Sequence, residues 1–128
     1  MEWYIKCLKN YTEFEGRARR KEYWMFILIH SIVLLALTFL FILLFDTIRS
    51  IGVVAILFPY FIYVFASFAI IPTISVTIRR LHDVNKSGWH FFNILKPIVG
   101  IIWLLVLLFK AGDKGDNKYG SDPKAIEF

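Results

Sequence analysis

Residues 23–45 read YWMFILIHSIVLLALTFLFILLF, a run with no charged side chain when His30 is neutral. At about 1.5 Å of rise per helical residue, such a run can cross a hydrocarbon core about 30 Å thick. A second uncharged run, Ser50 to Ile78, is longer than the core, and a third extends from Pro97 to Phe109. The apolar excess, 58% of residues with 18% aromatic, is gathered into these blocks rather than spread at the period of an amphipathic helix or strand. The chain therefore reads as an all-α, polytopic membrane protein with three transmembrane helices, over residues 24–45, 53–78 and 89–109. An amphipathic interfacial helix over 1–15 precedes them and a polar tail over 110–128 follows, all in a single membrane domain.

The length of 128 residues permits one small bundle. No internal repeat or low-complexity tract is present. The first apolar run continues to Phe45 without a small-residue cleavage site, so it is expected to be retained rather than removed as a signal peptide. Cys7 is the single cysteine, which rules out an intrachain disulfide. The net charge of +5 is not a nucleic-acid signal, because the basic residues flank apolar segments and form no reading motif. Lys6, Lys9, Arg17, Arg19, Arg20 and Lys21 precede the first span, whereas Arg49 alone separates the first two. That asymmetry predicts a cytoplasmic N-terminus and a cytoplasmic Arg79 to Lys86 loop, with the Asp46 to Gly52 turn outside.

Within Trp3 to Phe14, the apolar positions Tyr4, Cys7, Leu8, Tyr11 and Phe14 recur near helical spacing. They predict a helix lying on the membrane surface and ending at Gly16. The cluster Arg17, Arg19, Arg20 and Lys21, followed by Tyr23 and Trp24, suits an anionic headgroup layer. In span one, the imidazole of His30 is expected to point into the bundle. Span two holds Pro59 and Pro72 as kink sites and a close-packing face at Ala69, Thr73 and Thr77. Segment three is interrupted by Lys96-Pro97-Ile98-Val99-Gly100, and reads either as one span kinked there or as a re-entrant hairpin. The preferred reading is the single kinked span, although only a hairpin keeps Lys110, Lys114, Lys118 and Lys124 inside.

The densest group of functional side chains is the loop Arg79, Arg80, His82, Asp83, Lys86 and Trp89. His82 and Asp83 lack a nucleophile or second metal ligand, so no catalytic site and no metal site is expected. Asp83 is expected to cap a turn or to pair with an N-terminal arginine, with Asn85 and Gly88 in left-handed turn positions. His90, Asn93 and Lys96 recur every three residues as a polar stripe and, with His30, are the candidates for lining a pore or gluing helices together. The tail, rich in Gly, Asp and Lys, lacks the ligand pattern of a calcium loop and reads as an irregular solvated extension. No P-loop, zinc-protease helix, CxxC pair or serine elbow is present, and no cofactor is implied.

Three motifs in order around the apolar runs carry a resemblance. They are Phe14 to Trp24, then Arg79-Arg80-Leu81-His82-Asp83 with Lys86-Ser87-Gly88-Trp89, then Gly112 to Pro123. Together they resemble the domain of unknown function 805 family of small bacterial inner-membrane proteins. The resemblance implies an inner-membrane location and a compact helical fold, without an established activity, substrate or cofactor. The expected function is a non-enzymatic binding or assembly module. Its cytoplasmic face would engage anionic lipid or a protein partner through Arg17, Arg19, Arg20, Lys21, Trp24, Arg79, Arg80, His82, Asp83, Lys86 and Trp89. A homo-oligomer is expected, and the alternatives are an oligomeric pore lined by segment three and, more remotely, a membrane enzyme.

Overall fold

The computed structural model describes residues 2–125. Residues 1 and 126–128, which the expected N-terminal helix and tail include, lie outside the described residues. Among the described residues, five α-helices and one 3-10 helix form the fold: α1 (Glu2–Lys9), α2 (Arg20–Arg49), α3 (Val53–Phe68), α4 (Ile70–Asp83), a 3-10 arm (Gly88–Leu95) and α5 (Val99–Phe109). Two stretches, α2 and the α3–α4 pair, are long and apolar enough to cross a membrane, while α5 is a shorter apolar helix. Their outward faces are bare of protein contacts, with Leu35, Phe39, Leu43, Ile56 and Phe68 each about two-thirds or more exposed. Such faces suit lipid as their solvent.

The second long stretch is broken once. Pro72 carries no N–H and its ring crowds the carbonyl of Phe68, four residues earlier. Helix geometry accordingly lapses at Ala69, whose N–H reaches back to Ala66 (3.2 Å), and resumes when Thr73 N–H meets the Ala69 carbonyl (2.9 Å). Pro59 stays inside α3 without breaking it. At its other end α4 closes with a Schellman motif: Lys86 N–H bonds to Leu81 O (2.9 Å) and Asn85 N–H to His82 O (3.0 Å). Asn85 adopts the left-handed conformation this requires (φ 57°), as expected. Gly88 does not; it is small because a Cβ there would sit 2.8 Å from Ile78 Cγ2.

Segment three is not one continuous helix: two short arms occupy the residues 89–109 that are expected to form a kinked span. The 3-10 arm and α5 fold back on each other through Lys96, Pro97 and Ile98, the last with φ 61°. A Cβ on Gly100 would overlap the Asn93 carbonyl and the Lys96 Cβ, so glycine is what lets the two arms meet. The return is tied down at the starting end. Arg80 donates from Nε to Leu108 O (3.3 Å) and from Nη2 to Lys110 O, and Trp24 stacks on Phe109 with centroids 4.4 Å apart. A buried guanidinium thus meets the last carbonyls of α5, where the helix dipole favours a cation.

The N-terminal helix is also shorter than expected. α1 stops at Lys9 and docks on the bundle: Cys7 is fully buried, Tyr4 stacks on Phe26 (5.4 Å), and the Ser75 hydroxyl donates to Glu13 O (2.5 Å) in the turn that follows. Its other face leaves Ile5 and Leu8 exposed, so the helix is half bundle element and half surface.

Candidate functional site

At one end of the bundle, the start of α2, the end of α4 and the tail meet in a polar cap. Its centre is Asp83, 2% exposed, which receives Arg17 through Nε (3.1 Å) and Nη2 (3.0 Å) and Arg80 through Nη1. The expected pairing of Asp83 with an N-terminal arginine is therefore present, with Arg17 as the partner. Arg17 has further donors to spend. Nη1 bonds to Gly115 O (2.6 Å) and Nη2 to Asp113 O (2.6 Å), which fastens the tail, while Asp113 N–H bonds to Asp83 O (2.8 Å). Gly112 leaves room for this: a Cβ there would overlap the Asp83 carboxylate.

A second buried pair lies beside the first. Glu22, 1% exposed, accepts from Arg79 Nη1 (2.8 Å), lies 3.5 Å from Lys6 Nζ, and has Cys7 Sγ 3.7 Å from Oε1. Burial, reinforced by the adjoining Glu22 charge, pushes the Cys7 thiol up to about 12. The thiol is thus a neutral packing group rather than a nucleophile. Ala18 N–H bonds to Arg79 O (3.0 Å), so the segment before α2 runs along the end of α4.

His82 stands on the cap's outer side. Its Nδ1 lies 3.1 Å from the Gly16 carbonyl, which can only accept, so Nδ1 carries the proton. The ring stacks on Tyr119 (4.0 Å, 3°), and Asn117 Nδ2 donates to the His82 carbonyl (2.9 Å). Partial burial lowers the imidazole below its usual value, against the raising effect of the Gly16 contact. His82 and Asp83 point to different partners, and no base-and-orienter pair forms between them.

The candidate lipid- or partner-binding residues thus divide. Arg17, Arg19, Arg79, Arg80 and Asp83 are buried. Arg19 donates to Pro123 O (2.8 Å), so its guanidinium also serves the tail. Arg20, Lys21 and Trp89 are exposed, while Trp24, His82 and Lys86 are intermediate. These last six form the accessible rim. The polar-stripe group also divides. His90, Asn93 and Lys96 line one open groove with α5, whereas His30 is sandwiched between Phe26 (6.1 Å) and Phe65 (5.2 Å) and lines a separate apolar cleft with Tyr4 and Leu8. Grouping His30 with the stripe is corrected by its position four residues after Phe26, on the face of α2 turned to α3. Among the described residues, no three His, Cys, Asp or Glu side chains converge to hold a metal ion.

Sequence reading passed over Glu22, Asn117, Tyr119 and the tail carbonyls. Glu22 did carry a signal, as a lone acid directly after four cations. The carbonyls carried none, since every residue offers one.

With this geometry in view, residues 11–121 match the family described as Protein of unknown function (DUF805). The chain belongs to this family. Among its relatives, the inner membrane protein YhaH of Escherichia coli (strain K12) is 44% identical over 97% of this chain and 98% of its own length. The inner membrane protein YhaI of the same strain is 40% identical over 97% of both chains. No solved structure matches the chain. For this DUF805 protein, its relatives' names and its two long apolar stretches agree on a membrane setting.

Proposed function

We propose that this chain is a multi-pass inner-membrane binding and assembly protein with a cytoplasmic N-terminus, and that its cap holds anionic lipid at the inner leaflet. In this reading α2 and α3–α4 span the membrane and segment three re-enters, so that both the start of the chain and the tail lie in the cytoplasm. The arms support re-entry by their length: eight 3-10 residues and eleven α-helical residues each reach about 16 Å, half a hydrocarbon core. Charge supports it too. Every Lys and Arg except Arg49 and Lys96 belongs to the cap end, as the positive-inside rule favours.

The observation that carries the lipid reading is the division of the cations. Arg17, Arg79 and Arg80 each pair with Asp83 or Glu22 inside the cap, whereas Lys21, Lys86 and Lys110 have no carboxylate partner among the described residues. Trp24, Trp89 and Phe109 sit near them, giving the combination of aromatic anchors and free cations that suits a headgroup layer. Each such cation contributes about 1 kcal/mol at an anionic surface, and salt screens it.

The test is lipid retention. Protein taken from mixed phosphatidylcholine and phosphatidylglycerol vesicles should hold phosphatidylglycerol in native mass spectrometry, and the triple variant Lys21→Gln, Lys86→Gln, Lys110→Gln should lose that preference. Equal retention of both lipids by the wild type would refute the proposal. Topology is tested separately: an impermeant maleimide on intact cells should label Ser50→Cys and spare Ser121→Cys. The pore alternative gains little from arms that reach only halfway, and the enzyme alternative gains none from the separation of His82 and Asp83.

A further inference from the structure

The groove along the 3-10 arm is unlike the other surfaces of the bundle. A 3-10 helix has about three residues per turn, so side chains three apart eclipse one another. His90, Asn93 and Lys96 consequently stand in one line rather than drifting around the helix as they would in an α-helix. Together with Val99, Gly100, Ile102, Trp103 and Val106 of the returning arm they line an open groove of about 580 Å³. His90 is anchored at the mouth, its Nδ1 3.0 Å from Ser87 O. Lys96 stands at the other end, beside the turn.

Lys96 is exposed in this groove and has no ion-pair partner among the described residues. The acids are elsewhere: Asp46 lies in the last turn of α2, and the others belong to the N-terminal segment, the cap and the tail. The non-helical backbone at Lys96, Pro97 and Ile98 adds a second requirement. At membrane depth such backbone is tolerated where it is covered by protein or lines water, not where it faces lipid.

We propose that this groove is a water-filled vestibule, open at its His90 end, that binds a small anion at Lys96. The inference rests on the re-entrant topology proposed above. The Lys96 ammonium supplies the charge, the Asn93 amide a neutral donor one turn away, and Trp103 with the α5 aliphatic side chains an apolar wall that strengthens the attraction by excluding bulk water from one side. Lys96 lies six residues, about 12 Å along the arm, below His90, which in this topology is deeper than the headgroup phosphates, so the anion comes from the aqueous phase.

Iodide is a suitable probe because it quenches tryptophan fluorescence and Trp103 lines the groove. The full chain, carrying W3F, W24F and W89F, is placed in phosphatidylcholine nanodiscs and titrated with iodide at constant ionic strength. Saturable quenching is expected, lost in Lys96→Met and kept in Lys96→Arg. Quenching that is linear, or identical with and without Lys96, overturns the proposal. So does protection of Trp103 from both iodide and neutral acrylamide together with disulfide cross-linking of Lys96→Cys between copies, since a second chain would then fill the groove. If the tryptophan-substituted background does not fold, the thermal midpoint of the wild type and of Lys96→Met with and without iodide replaces it: an iodide-dependent rise confined to the wild type is required. Maleimide labelling of Ser121→Cys reports failure of the topology independently of iodide binding.

Discussion

Removing the Asp83 carboxylate is the sharpest perturbation of the cap. Asp83→Asn keeps the shape of the side chain but leaves the guanidinium groups of Arg17 and Arg80, both buried, without their counter-charge. Breaking a buried pair from one side costs about 3–5 kcal/mol, because the remaining charge stays desolvated. Since about 1.4 kcal/mol is a factor of ten, the folded-to-unfolded ratio should fall by roughly two to three and a half decades. Denaturant titration in micelles measures this, with protease sensitivity of the tail as a second readout. The pair is isolated by a cycle with Arg17→Met. That single variant loses the Asp113 and Gly115 carbonyl contacts as well, so it should loosen the tail on its own. The double variant should be less destabilised than the sum of the singles, by about 0.5–3 kcal/mol, since no stranded charge remains at position 17. Additive effects, or a loss below about 1 kcal/mol for Asp83→Asn, would refute the reasoning.

Three further outcomes follow from other contacts. Gly100→Ala should force the arms of segment three apart, since its Cβ overlaps the Asn93 carbonyl, and spin labels at Ile94 and Ile102 should report a longer separation; an unchanged distance would contradict the hairpin packing. Cys7, with its thiol raised to about 12 by burial, should resist maleimide at pH 7 to 9 in the folded protein and react on denaturation; fast labelling of native protein would show that α1 is not docked. The docking of Tyr119 on His82 should weaken on acidification: the folded imidazole titrates below its unfolded value of about 6.5, so the contribution is complete above that value and is lost as pH falls through the folded one. Hydrogen exchange of residues 113–123, corrected for intrinsic rates, should rise at pH 5 relative to pH 8, and His82→Gln should abolish the difference.

What was legible in the sequence follows from the physics of each element. Two long apolar runs with cations at one end are readable because length and charge act without tertiary context. A lone acid at position 83 facing an arginine cluster announces a pair, although the identity of Arg17 depends on where the chain turns. The break in segment three is hard to read for a concrete reason: a kinked helix and two short arms have the same hydropathy. Only the Gly100 contact with Asn93 and the Arg80 bonds to the end of α5 separate them. The tail read as solvated because its attachment is through backbone carbonyls, and Tyr119, the one aromatic side chain between residues 110 and 125, was its sole visible anchor.

The cap joins residues from the first and last fifths of the chain, and this has a consequence for synthesis. Arg17 leaves the ribosome early, yet its counter-ion Asp83 follows 66 positions later and its partner Gly115 follows 98 positions later. Until translation reaches those residues the guanidinium has no internal partner and must remain hydrated, so the first long helix can insert while the segment before it stays open. A chain released early, short of Asp113, would retain the buried Arg17–Asp83 pair but not the carbonyls that complete it. Synthesis of residues 113–115 is thereby coupled to closure of the cap, and a product terminated before them would display an unsealed cationic end.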